Sequence, residues 1–202
     1  MNDIHYLRSL SFDTSFLLKK NPLVDKVIKI LNKDNIKCYI TSTVVSELEQ
    51  LKIWGRISLL DYKLAIKRWK RTRANVVDFK NRFLKNEFGK TCIKSMEENH
   101  GVNPKDIVND CNILITSLKN GVDIFLSEDY HFTSKITKKV ISEVKHTSCS
   151  EYHQMCDSAL YSIDAFTFLK AYDNGSVDLN IIQKYMKSIK KSEKEFRNRK
   201  DY

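Results

Sequence analysis

Between Ser9 and Leu51 the chain alternates two short apolar stretches with two helical ones, and this order constrains the fold more than any other feature of the sequence. Ser9 to Leu17 (SLSFDTSFL) reads as a short buried strand running into a turn at Asp13-Thr14-Ser15. Asn21-Pro22 opens a helix, because proline suits a first helical turn and Leu23, Val27, Ile30 and Leu31 recur at helical spacing. Ile36 to Ile40 (IKCYI) alternates as a strand does. Ser42 or Thr43 can cap a second helix with Glu47 and Glu49 in its early turns. Strand, helix, strand, helix is the pattern of an α/β fold with a parallel sheet.

The pattern resumes after residue 100. Asn103-Pro104 opens a helix over Ile107 to Lys119, which Asn120-Gly121 stops. Val122 to Leu126 is a strand ending in the polar run Ser127-Glu128-Asp129. Ligands bind at the carboxyl ends of strands in such sheets, so this run marks a candidate site. Lys135 to Cys156 reads as helix, Ala159 to Ile163 as a last strand, and Ala165 to Tyr172 as a short helix. Beyond the Asn174-Gly175 break, Leu179 to Phe196 forms a basic amphipathic helix. The chain therefore divides at 174/175 into a main α/β domain and a C-terminal helix.

Between the two halves, Ile57 to about Asn99 is helical and strongly basic, which makes residues 57–100 an inserted helical lobe. Tyr62, Ile66, Trp69, Val76 and Phe83 form its apolar stripe, while Lys63, Lys67, Lys70, Arg71 and Arg73 are candidate phosphate contacts on another side. A solvated outer face explains the same cations equally well. The whole chain carries 35 Lys and Arg against 25 Asp and Glu, a net charge of +10. That balance favours an anionic partner, with nucleic acid first among the classes. No apolar run approaches the roughly eighteen residues of a membrane span, and no signal peptide is evident, so a cytoplasmic location is expected. Five scattered cysteines point to reduced thiols rather than a disulfide frame.

Four acids stand where desolvation makes them costly. Asp13 interrupts an apolar segment, and Asp129 follows a buried strand. Glu47 lies at the edge of the helical stripe Val44, Val45, Leu48 and Leu51; Asp110 borders Ile107, Cys111, Leu114 and Leu118. Each has an ordinary structural explanation, as a turn former or helix-dipole partner. Together they describe two strands and two helices that bring carboxylates to one sheet edge. Converging carboxylates raise one another's pKa unless a cation intervenes, and an all-oxygen donor set selects Mg²⁺ or Mn²⁺ over Zn²⁺. Such a site suits phosphodiester hydrolysis. Asp106, one turn before Asp110, is a further candidate beside the metals, or simply a dipole partner.

The segments Phe12-Asp13-Thr14-Ser15, Val44 to Leu51 with Glu47, Asn109 to Ile115 with Asp110, and Leu126 to Phe132 with Asp129 resemble, in their order, the motifs of PIN-domain nucleases, including ribonuclease toxins of the VapC type. The resemblance covers about residues 8 to 170. It implies an α/β/α sandwich around a mainly parallel sheet and Mg²⁺- or Mn²⁺-dependent cleavage of RNA. It also implies a homodimer and, for the toxins, a small antitoxin protein as partner. Carried over by position, Asp13, Glu47, Asp110 and Asp129 match the acidic quartet, while Ser15 and Ser127 match supporting polar positions. The 63 positions from Glu47 to Asp110 and the C-terminal helix are additions to the compact toxin pattern.

Two other readings stand beside this one. A non-catalytic RNA-binding or assembly module would carry its function on the basic helices alone. A phosphatase-like enzyme with a phosphoaspartyl step would want an acid at position 15, which is Ser. His146, Cys149, His153 and Cys156 have zinc-like spacings, but on a helix they spread over about 15 Å of rise, which favours a core or interface face.

Overall fold

The computed structural model describes residues 3–78, 86–100, 104–148 and 159–185. Five parallel strands form the central sheet: β2 (Ser9–Phe12), β3 (Lys37–Thr41), β4 (Asn75–Val77), β5 (Ile124–Leu126) and β6 (Tyr161–Ile163), in the order β4-β3-β2-β5-β6. Leu10 is paired with Cys38 on one side and Ile124 on the other, so β2 is the middle strand. All four of its residues are buried, as expected of a parallel strand covered on both faces. β1 (Ile4–Tyr6), β7 (Tyr172–Asp173) and β8 (Ser176–Asp178) make a separate antiparallel sheet in the order β1-β8-β7.

Helices flank the central sheet in two packed groups. One comprises α1 (Thr14–Leu18), α2 (Pro22–Lys33), α4 (Leu59–Thr72) and α9 (Ala165–Ala171). The other comprises α5 (Glu87–His100), α6 (Pro104–Lys119) and α8 (Lys135–Ser148). α3 (Ser42–Ile53) touches both α1 and α6, and α7 (Tyr130–Thr133) is a single turn after β5. The core joins Phe12 and Phe16, stacked at 5.9 Å between centroids, to Ile40, Val44, Leu48, Phe125, Leu126 and Ile163. Among the described residues no helix is long and apolar enough to cross a membrane.

The local endings depart from the sequence expectations in informative ways. Asp13-Thr14-Ser15 is the start of α1 rather than a turn, with Asp13 as its cap. Asn21 caps α2 ahead of Pro22, as expected. The cap of α3 is Thr41, whose Oγ1 accepts from Val44 N at 3.2 Å, because β3 runs one residue beyond Ile40. Residues 57–99 are not one helical lobe. α4 ends at Arg73 in the left-handed region (φ 53°), and Asn75–Val77 then pairs with Tyr39–Thr41 as the edge strand of the central sheet. Val76 therefore leaves the expected helical stripe and stands 54% exposed, while Phe83 lies outside the described residues.

The buried face of α4 is Ala65, Arg68 and Thr72, with Tyr62 and Trp69 only half-buried. Arg68 is accommodated because each of its three nitrogens finds an acceptor. Its Nε and Nη2 reach Asp25 at 3.1 and 3.0 Å, and Nη1 bonds Leu17 O and Lys19 O at 2.8 and 2.7 Å. Those carbonyls end the short helix α1, so Arg68 supplies the C-terminal partners that five residues of helix cannot. The segment read as an insertion is thus tied into the sheet by β4 and to α1 by Arg68.

The 174/175 boundary falls inside a hairpin. Asn174 and Gly175, both at positive φ (44° and 85°), turn β7 into β8, a two-residue geometry that glycine makes accessible. β8 then pairs with β1, and Val177 and Ile182 belong to the same buried core as the sheet. Residues 179–185 are helical; the rest of the expected helix, to Phe196, lies outside the described residues.

Candidate active site

β2 is connected onward to β3 on one side, whereas β5, its neighbour on the other side, is connected onward to β6. Successive connections therefore diverge between the carboxyl ends of β2 and β5, which opens a crevice at that point. Asp13 and Ser127 are the first residues past those two ends.

Asp13 is 3% exposed and leaves the sheet with its N–H still bonded to Leu126 O at 3.1 Å. Its Oδ1 accepts from Phe16 N at 2.9 Å and Ser15 Oγ at 2.8 Å, and its Oδ2 accepts from Ser127 Oγ at 2.8 Å. Burial pushes its carboxyl up to about 7; the bonds from Phe16, Ser127 and Ser15 oppose the rise, and the charge of Glu47 adds to it.

The serines connect the two strand ends. Each hydroxyl has one proton, and both give it to Asp13. Ser127 Oγ then accepts from Asp129 N at 3.0 Å, and Ser15 Oγ accepts from Glu128 N at 2.9 Å. The loop after β5 is in this way folded around Asp13. Asp129 caps α7, with Oδ1 accepting from His131 N at 2.8 Å.

The two helical acids come from α3 and α6, which touch each other. Glu47 is half-buried on α3 and accepts at Oε2 from Thr14 Oγ1 at 2.5 Å. Asp110 is half-buried on α6. Burial pushes its carboxyl up to about 7, with further upward contributions from the charges of Asp129, Asp13 and Glu47, in that order. Asp110 thus lies within electrostatic reach of the other three acids. Among the described residues no ion pair neutralises any of them.

The donor set fits a hard divalent cation in chemistry and in charge. Among the described residues, no three His, Cys, Asp or Glu side chains are grouped closely enough to ligate one ion directly. A site holding Mg²⁺ or Mn²⁺ here would use one or two carboxylates with water completing the shell, which is the usual habit of Mg²⁺.

The remaining candidates separate into those near the site and those away from it. Ser15 and Ser127 join it directly. Asp106 falls in the first turn of α6, but its side chain lies outside the described residues. Lys63, Lys67, Lys70, Arg71 and Arg73 are all exposed. The Lys20–Asp61 ion pair (2.8 Å) holds the start of α4 at the carboxyl edge, beside the entry to α2. From there α4 descends, and Arg73 and Asn75 lie beside Asn35–Lys37 at the amino edge. Lys63 is therefore the member of the basic series closest to the start of α4 at the carboxyl edge; Lys70, Arg71 and Arg73 are carried away by the helix. His146 is exposed on α8, and Cys149, His153 and Cys156 lie outside the described residues.

Two residues not singled out from sequence have evident work here. Thr14 holds Glu47. Glu128, whose carboxyl is raised mainly by burial, accepts from Ala165 N at 2.9 Å and so ties the loop after β5 to the start of α9. Thr14 directly follows Asp13 in the sequence, but nothing local marks its distant partner Glu47. At the opposite edge, Asp123 is fully buried and accepts from Arg8 N, Arg8 Nη2, Ser9 N and His5 Nε2 at 2.8 to 3.3 Å. Burial alone would raise its pKa, yet those donors hold it below the ordinary value. Asp123 is thus a structural acid paired with the Arg8 guanidinium, and among the described residues none of the four site acids has such an ion pair. No protein-family model matches this chain, and no curated protein matches it significantly.

Proposed function

We propose that the protein is a divalent-metal-dependent ribonuclease of the PIN-domain type, with Asp13, Glu47, Asp110 and Asp129 as its acidic quartet. The observation that carries this reading is Asp110, a carboxyl pushed up to about 7 by burial and by the other three acids, with no ion pair to offset them among the described residues. A fold that assembles this much unneutralised negative charge at a ligand-binding edge is arranged for a cation supplied from solution. The net charge of +10 elsewhere supports a polyanionic substrate.

A bound Mg²⁺ or Mn²⁺ would lower the pKa of a water and neutralise charge on the scissile phosphate. Asp13, locked by three donors, would be the rigid ligand. Asp110 and Asp129 would flank it, directly or through water. Glu47 has one oxygen engaged by Thr14, which leaves the other to orient a water. Ser15 and Ser127 position Asp13 rather than touch substrate, because their protons are already committed to it.

The test is cleavage of a single-stranded RNA with Mn²⁺ by the protein and by Asp13→Asn. Asparagine is as good a helix cap as aspartate, so the variant keeps α1 while losing the charge. Metal-dependent cleavage by the parent alone supports the reading; equal inactivity of both at high protein concentration favours a non-catalytic RNA-binding module.

A further inference from the structure

The hairpin joining α3 to α4 exposes more apolar surface than its position requires. Ile53, Trp54, Leu59 and Leu60 are 56 to 77% exposed within eight residues. Around them the aromatic rings are paired with cations: Arg56 lies over Trp54 at 5.2 Å, and Lys52 lies over Tyr62 at 4.7 Å. The acids of this region are already engaged, Asp61 by Lys20 and Glu49 by the Tyr62 hydroxyl at 2.5 Å. The charges left at the rim are those of Lys52, Arg56 and Lys63.

The hairpin also has a fixed relation to the carboxylates. Trp54 caps α3, with its N–H bonded to Gln50 O, and comes seven residues after Glu47. Seven residues bring a helix back to within about 20° of the same side after about 10 Å of rise. Trp54 therefore lies on the side of α3 that carries Glu47, at a distance matching roughly three stacked nucleotides at 3.4 Å each.

We propose that this hairpin is a stacking platform for single-stranded RNA, with Trp54 receiving a base about three nucleotides from the phosphate at the carboxylates. The inference rests on the ribonuclease reading for its direction along α3. Arg56 covers one face of the indole, leaving the other to a base, while Lys52, Arg56 and Lys63 meet the backbone; alternating aromatic faces and cations is how single strands are held without sequence preference. The cations Lys52, Arg56 and Lys63 favour a polyanion over a second copy of a chain whose own net charge is +10.

Tryptophan emission tests this directly, because the chain has only two tryptophans. Trp69 is half-buried and donates its indole N–H to Ala74 O at 3.2 Å, so a Trp69→Phe protein reports Trp54 alone. With EDTA present to prevent turnover, a twelve-residue oligouridylate is expected to quench that emission. Trp54→Leu should weaken binding of the same oligomer at least about fivefold, with Trp54→Phe recovering part of the loss. A dinucleotide, too short to span, should bind Trp54→Leu and the parent alike. Equal oligomer affinity of Trp54→Leu and the parent would overturn the platform. So would quenching by polyglutamate but not by RNA, or self-association on sedimentation that Trp54→Leu abolishes; these would mark a protein interface. Binding in EDTA followed by no cleavage with Mn²⁺ would uphold the platform and refute the nuclease reading.

Discussion

Thr14 donates its hydroxyl to Glu47 Oε2 at 2.5 Å, so the residue next to the α1 cap fixes a carboxylate 33 positions further along the chain. This bond sets Glu47 relative to Asp13, because Thr14 is bonded covalently to one and by hydrogen bond to the other. Thr14→Val keeps the shape and removes the donor. Activity should fall roughly ten- to a hundredfold, as for a misplaced catalytic group, while stability changes by about 1 kcal/mol. Thr14→Ser should restore most of the rate. Steady-state kinetics beside urea unfolding would separate the two effects, and an unchanged rate for Thr14→Val would remove the positioning role.

The pH dependence of the metal-free protein has a definite sign. Asp13 and Asp110 titrate near 7 in the fold and near 3.8 when unfolded, so the native state binds more protons between those values. Their contribution to stability is complete below about pH 4 and is lost as pH rises to about 7. Asp110→Asn should flatten this slope and raise stability at pH 8 by about 1–3 kcal/mol while abolishing cleavage. Thermal melts from pH 4 to 8 in EDTA, parent against variant, would show it; a parent that grows more stable from pH 5 to 7 relative to Asp110→Asn would contradict the assignment.

Divalent ions should act in the opposite sense at high pH. At pH 8 Asp13 and Asp110 are ionised, and millimolar Mn²⁺ or Mg²⁺ should raise the melting temperature of the parent through preferential binding to the folded state. Asp13→Asn and Asp110→Asn should respond weakly. Asp123→Asn offers a useful contrast: it loses a paired acid at the far edge and should be less stable, yet retain the full response to Mn²⁺.

Arg68 tests how the basic segment is joined to the site. Its removal in Arg68→Ala takes the guanidinium donor from Leu17 O, leaves Lys19 O with Asn21 N alone, and leaves Asp25 without its guanidinium partner. A loss of about 2–3 kcal/mol is expected, less than for a fully buried pair because Asp25 is 44% exposed. Arg68→Lys should recover little, since an ammonium cannot replace the planar fork. Chemical denaturation is the appropriate measurement.

Much of the fold was legible locally. Apolar runs at 9–12, 124–126 and 161–163 are strands, Asn21-Pro22 starts a helix and Gly121 follows the end of another, because burial periodicity and caps act over a few residues. The segment after α4 is a strand that helical periodicity hides, because Asn75–Val77 is only three residues long. A strand so short is defined by its partner, here Tyr39–Thr41, more than by its own composition. Asn174-Gly175 looks like a break in the sequence for a related reason: a hairpin needs both arms, and the arm at Ser176–Asp178 is held by Ile4–Tyr6, far away in the chain.

The sequence by itself determined which four acids stand beside apolar stripes and strand ends, since that is a matter of spacing along Asp13, Glu47, Asp110 and Asp129. Only the tertiary structure decided that Asp110 senses the other three, that Thr14 holds Glu47, and that Arg73 is carried to the far edge while Trp54 stays on the side of Glu47. The physical reason is range. Helical and strand periodicity is written within some ten residues, whereas Coulomb interaction, burial and a shared hydrogen bond depend on distance in space, which the order β4-β3-β2-β5-β6 sets between residues up to 116 positions apart.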